Sequence, residues 1–116
     1  MELKAMIKIS ELMKQISNLG YPVAYHQFIN TEGQPIPNPP FVIYLEEDSE
    51  NFGADNKVWM KRIPYQIELY TDIRRFDIEA EIEKVFDDNN IFYETQPFHI
   101  ESEQMYQMIY YITLIK

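Results

Sequence analysis

The sequence predicts an α+β domain: a largely antiparallel sheet with two helices packed on one face, in the order α-β-β-β-α-β-β. Three observations carry this reading. Two segments, near residues 4–19 and 77–88, repeat apolar residues at spacings of three and four, as amphipathic helices do. Between and after them lie runs rich in β-branched and aromatic residues, "FVIYL", "YQIELY" and "MYQMIYYITLI". The strands come in runs rather than alternating one by one with helices, which favours an antiparallel sheet. With 116 residues, 46% apolar and 25% charged, and no linker, residues 1–116 are expected to share one core.

In the first helix the stripe is Met6, Ile9, Leu12, Met13, Ile16 and Leu19, and Gly20 stands where a glycine would end it. A short strand follows from Pro22 to Phe28, with the proline at its start, where a missing N–H costs least. "NTEGQPIPNPP" holds four of the seven prolines and reads as a stiff, extended loop. Phe41–Leu45 is apolar on both faces, which fits a central strand or one covered by a neighbouring chain. The decapeptide "EEDSENFGAD" reads as an acidic loop, with Gly53 at its turn. Between Lys57 and Tyr70, "YQIELY" alternates as a strand, and Pro64 just before it implies an edge, a bulge or a bend. Asp77 is the expected N-cap of the second helix, whose stripe is Ile78, Ile82, Val85 and Phe86. Its Glu79, Glu83 and Asp87 stack at i, i+4 and i+8 and read as a solvated, mildly self-repelling face, partly offset by Lys84 beside Glu81 or Asp88. "DDNN" ends that helix, asparagine tolerating a left-handed backbone. Strands near Ile91–Thr95 and Met105–Ile115 complete the order.

Composition narrows the function. Without cysteine, disulfides, thiolate nucleophiles and zinc–sulfur sites are excluded. The first twenty residues carry Glu2, Lys4, Lys8, Glu11 and Lys14, which interrupts any signal-peptide core, and no run reaches the ~18 apolar residues of a membrane span. A soluble cytoplasmic protein without membrane partners is the expectation. A net charge of −9 argues against conventional DNA binding, which relies on basic patches. Nine tyrosines suit either a surface that meets a partner or a small β-rich core.

No chemical motif emerges. A calcium loop counted from Asp48 would place Phe52 at its fifth position and Trp59 at its twelfth, neither able to coordinate. Glu46 and Glu47 adjoin on a strand and point to opposite faces, which is poor placement for a proton-sharing pair. His26 and His99 are the only histidines and lie far apart in sequence. None of the four serines sits in a nucleophile elbow, and no glycine-rich phosphate loop is present. No enzyme activity, metal or cofactor is expected.

The order of motifs resembles a known family. An amphipathic helix ending "LGYPVAYHQF" precedes "PPFVIYLEEDSENFGADNKVW", "YQIELYTD", an acidic helix and "NNIFYETQPFHIESEQMYQMIYYITL". Over nearly the whole chain this is similar to the small tail-completion proteins (tail terminators, in head–tail joining) of siphophages and prophages of Gram-positive bacteria. The most telling pieces are "PPFVIYL", "NFGADNKVW", "IELYTD" and "HIESEQMYQ". The resemblance implies a non-catalytic α+β subunit that assembles into a ring, a hexamer, on the head-proximal end of the tail tube. That ring would end tube polymerisation and dock the head. It implies as partners further copies of the chain, the tail tube protein and a head-completion protein, with DNA passing through without specific binding. Its location would be the virion, and the host cytoplasm during assembly.

The subunit-contact candidates are Phe52, Trp59, Tyr44 and Tyr70. Phe52 and Trp59 flank the polar turn "GADNKV", and large aromatics there would stay wet in a lone subunit. The alternative class is a small acidic inhibitor or immunity-type protein that binds a basic partner; self-assembly separates the two. A small-molecule enzyme is the weakest of the three readings.

Overall fold

A computed structural model describes residues 7–28, 36–47, 50–52 and 60–115, with backbone alone for residues 50–52, 60 and 61. The chain runs α1 (Ile9–Ser17), β1 (Val23–Tyr25), β2 (Phe41–Glu46), β3 (Glu50–Phe52), β4 (Met60–Thr71), α2 (Phe76–Asp88), β5 (Tyr93–Ile100), a single 3₁₀ turn (Glu101–Glu103) and β6 (Met105–Ile115). The expected class holds: an α+β fold with a largely antiparallel sheet. The sheet order is β1-β2-β4-β6-β5, with β3 also paired to β4. Among the described residues, only β1 and β2 run parallel. Because β4 and β5 both run antiparallel to β6, which lies between them, β4-α2-β5 is a split β-α-β unit.

Strand alternation sorts the sheet into two faces. Val42, Ile63, Tyr65, Ile67, Leu69, Met108, Tyr110, Ile112 and Leu114 share one core with Leu12, Met13 and Ile16 of α1 and Ile78, Ile82, Val85 and Phe86 of α2. Both helices therefore cover the same face, as their stripes require. Across the helix pair, the Asn89 amide donates to Gln15 Oε1 at 2.8 Å.

Several boundaries differ from the sequence reading. Residues 7 and 8 are not helical and Lys8 is extended, so α1 starts at Ile9; residues 4–6 of the expected helix lie outside the described residues. Gly20 takes φ +109 in the turn after α1, donating its N–H to the Ser17 carbonyl at 2.9 Å. This is a conformation that side chains with a Cβ resist. β1 stops at Tyr25 because His26 adopts φ 68. The acidic decapeptide is not all loop: Glu50–Phe52 form β3, opposite Met60–Arg62. Among the described residues, four strands therefore precede α2 instead of three. α2 begins one residue early, at Phe76, with Arg75 as its cap; Asp77 sits in the first turn and receives the Arg75 guanidinium at 2.8 Å and 3.0 Å. Asn90 is left-handed (φ 57), as the "DDNN" stop requires.

Pro64 neither bends nor ends β4, which pairs with β6 without interruption from Arg62 to Thr71. The carbonyl of Pro64 accepts the Glu47 N–H at 2.9 Å, in the gap where β2 pairing ends and β3 pairing begins. In a strand, the N and O of one residue point to the same side, so the absent N–H falls in that gap and no ladder bond is lost.

Glu79 and Glu83 correct the expectation of a solvated acidic face. Glu79 is only 8% exposed and forms a salt bridge with Arg74 at 3.1 Å. Glu83 accepts the Tyr110 hydroxyl at 2.9 Å and the Tyr93 hydroxyl at 3.4 Å. The helix turns these carboxylates toward the sheet, where tyrosine tips reach them. Lys84 pairs with Asp88 at 2.7 Å, as its spacing predicts.

Candidate interaction surface

Among the described residues, no helix lies on the sheet's second face. From the register it is built by Phe41, Ile43 and Leu45 of β2, Gln66, Glu68 and Tyr70 of β4, Gln107, Ile109 and Tyr111 of β6, and Glu94, Gln96 and Phe98 of β5. A one-sided antiparallel sheet in water normally presents polar residues on its open face. Here β2 contributes Phe41, Ile43 and Leu45 and β6 contributes Ile109 and Tyr111, of which Phe41 and Ile109 are buried, while β4 adds Gln66, Glu68 and Tyr70. Phe28, from the segment after β1, packs edge-on against Phe41 at 5.2 Å, and Phe41 stacks on Tyr70 at 5.1 Å. At the opposite edge Phe98 is exposed.

A polar chain crosses this apolar field. The Gln107 amide donates to the Tyr70 hydroxyl at 2.8 Å, and that hydroxyl donates to Glu68 Oε1, also at 2.8 Å. Glu68 is 7% exposed, with Ile43 and Ile109 as its register neighbours on either side. Burial first, and then the hydrogen bond to Glu68, raise the Tyr70 hydroxyl well above its ordinary pKa.

The four candidate residues separate. Tyr70 lies on the second face near the end of β4, between Phe41 and Gln107. Tyr44 lies on the other face, opposite Ile67, half-buried against the common core and edge-on to Tyr25 at 5.1 Å. Phe52 closes β3 with its backbone opposite Met60. Trp59 lies outside the described residues. The structure thus brings Tyr70 together with Phe41, Ile43, Glu68 and Ile109, a set that sequence reasoning did not assemble. Its signal was present in "FVIYL", apolar at every position when a strand with one wet face needs only every second one.

Among the described residues no group of three or more His, Asp or Glu side chains could hold a metal, and no helix is long and apolar enough to cross a membrane. Tyrosine–carboxylate pairs recur through the fold: Tyr21 with Glu81, Tyr65 with Glu46, Tyr70 with Glu68, and Tyr93 and Tyr110 with Glu83. Burial, followed by the Glu81 hydrogen bond, pushes Tyr21 up to about 12; burial, followed by the Glu46 charge, pushes Tyr65 up to about 12. Folding therefore favours the neutral phenols. Their contribution is complete below the unfolded value near 10 and is lost as pH rises toward 12. The melting temperature is expected to hold up to about pH 9.5 and to fall steeply above about pH 10. An unfolding series that stays flat through that window would show that the phenols ionise equally in both states.

Fold and surface together define a small α+β domain whose two helices cover one face of a largely antiparallel sheet. No protein-family model matches the chain, and no curated protein matches it.

Proposed function

We propose that the chain is a structural subunit of the tail-terminator type, which assembles as a ring on the head-proximal end of a phage tail tube, ends its polymerisation and receives the head. The observation that carries the reading is the sheet's second face, which no described helix covers and which groups Phe28, Phe41 and Tyr70 on the same side as the exposed Phe98. Two of the segments that carry the resemblance, "PPFVIYL" and "IELYTD", hold the β2 and β4 residues that build this face. A ring wall of copies with net charge −9 would repel DNA passing through it instead of adsorbing it.

Native mass spectrometry of the purified chain, alone and with tail tube protein, tests the proposal. A closed ring and a fixed upper limit on tube length are expected. In the same assay Trp59→Ala should weaken assembly while leaving the subunit's melting temperature nearly unchanged. A chain that stays monomeric and leaves tube length unaltered would sink the terminator reading. Tight capture of a basic protein by a monomer would favour the acidic-inhibitor alternative.

A further inference from the structure

Strand β1 ends on a strained turn, beside a strand with which it could go on pairing. The run from Pro22 to Phe28 reads as one strand, and β2 continues past the end of β1 to Glu46. In the parallel ladder the Val42 N–H donates to the Pro22 carbonyl at 2.8 Å, and the His26 N–H donates to the Tyr44 carbonyl at 2.9 Å. By the same register the following rung would run from the Glu46 N–H to the His26 carbonyl. That rung is not formed, and His26 turns instead. Its φ is 68, and across it the Gln27 N–H donates to the Tyr25 carbonyl at 2.7 Å. This is the positive-φ form of the γ-turn, rare and strained in a residue with a Cβ.

The turn brings Phe28 back onto the start of β2. His26 itself is exposed, whereas Phe28 is half-buried and lies edge-on to Phe41 at 5.2 Å. Phe41 in turn stacks on Tyr70 and is 7% exposed. A β1 continued past Tyr25 would carry Phe28 to the level of Glu47, roughly 20 Å along the strand direction from Phe41. The aromatic contact and the longer strand therefore exclude each other. Strain of this kind persists only where the surrounding structure holds it in place.

We propose that residues 26–28 are a latch with two positions. In the closed position Phe28, seated on Phe41, holds His26 in its turn and β1 stays short. With Phe28 out of its seat, His26 relaxes to extended backbone, β1 lengthens onto Leu45 and Glu46, and Phe41 is bared beside Tyr70. The added rung and the released strain offset the lost aromatic contact, which keeps the open position within reach. An apolar group that takes the seat of Phe28 drives the same change, because a ligand shifts a two-state equilibrium by its preference for one state. The latch works within one chain and does not depend on assembly.

Amide hydrogen exchange and nuclear Overhauser contacts, read by NMR on the full chain, test the latch. Phe28→Ala and His26→Val should each slow exchange of the Glu46 N–H by about tenfold or more, the second because a β-branched side chain resists positive φ. His26→Val should also lose the Phe28–Phe41 ring contact while the Phe41–Tyr70 contact remains. His26→Gly accepts the turn and should keep both the wild-type exchange rate and the Phe28–Phe41 contact. Unchanged Glu46 exchange in either Phe28→Ala or His26→Val, with the chain folded, overturns the latch. His26→Gly behaving like His26→Val overturns it as well. Both His26 variants alter an exposed side chain and should fold, so they decide the question alone if Phe28→Ala does not.

Discussion

Phe86→Ala is expected to cost about 3–5 kcal/mol of folding stability, the range for truncating a fully buried phenylalanine. Phe86 is 0% exposed and lies where α2 crosses the sheet, edge-on to Tyr110 at 5.3 Å and tilted against Tyr93 at 5.3 Å. Removing the ring loses its transfer energy and opens a cavity that two rigid aromatic neighbours cannot collapse into. Domains of this size are stable by roughly 5–15 kcal/mol, so a large share would go at once. Phe92→Ala, at an 80% exposed position, is the internal control and should stay within about 0.5 kcal/mol of wild type. Urea unfolding of the two variants checks both. A loss below about 1 kcal/mol for Phe86→Ala would mean that α2 does not pack on the sheet as described.

Tyr110→Phe should destabilise the fold by about 1–3 kcal/mol, although it removes a single oxygen. Tyr110 is fully buried and donates to Glu83 Oε2 at 2.9 Å; burial, reinforced by that bond, raises its hydroxyl far above the ordinary value. Without the hydroxyl, a half-buried carboxylate keeps only the long 3.4 Å contact from Tyr93. In a Glu83→Gln background the same substitution should cost measurably less, because the acceptor no longer carries charge. Equal losses in both backgrounds would show that the hydroxyl acts through some other group.

The helices and the long strands were legible because each element's pattern answers to one dominant demand. Ile78, Ile82, Val85 and Phe86 recur at helical spacing and all four are buried. Met105–Ile115 emerged with its observed boundaries. Illegibility began where tertiary pairing outweighed local pattern. Glu50–Phe52 has poor strand composition and becomes β3 only because β4 extends far enough to pair with it. β5 runs on to Ile100 through Pro97, since an edge strand tolerates a proline. Glu79 and Glu83 were misread because a helix-surface pattern does not record which side chains approach from the sheet. The sheet's second face was half legible. Phe41–Leu45 announced two apolar sides, but the meeting of Glu68, Tyr70 and Gln107 depends on the register of β4 against β6, which no local stretch encodes.

Pro97 bears on how the protein behaves when crowded. Among the described residues, the free margins of the sheet are β5, which contains Pro97, and β1 and β3, three residues each. A flat, unguarded edge recruits other chains strand by strand and seeds fibrils. A proline interrupts such a template, and three-residue margins are too short to offer one. The described edges therefore offer little backbone for strand-by-strand growth, and the fold is guarded against amyloid-like stacking at high concentration.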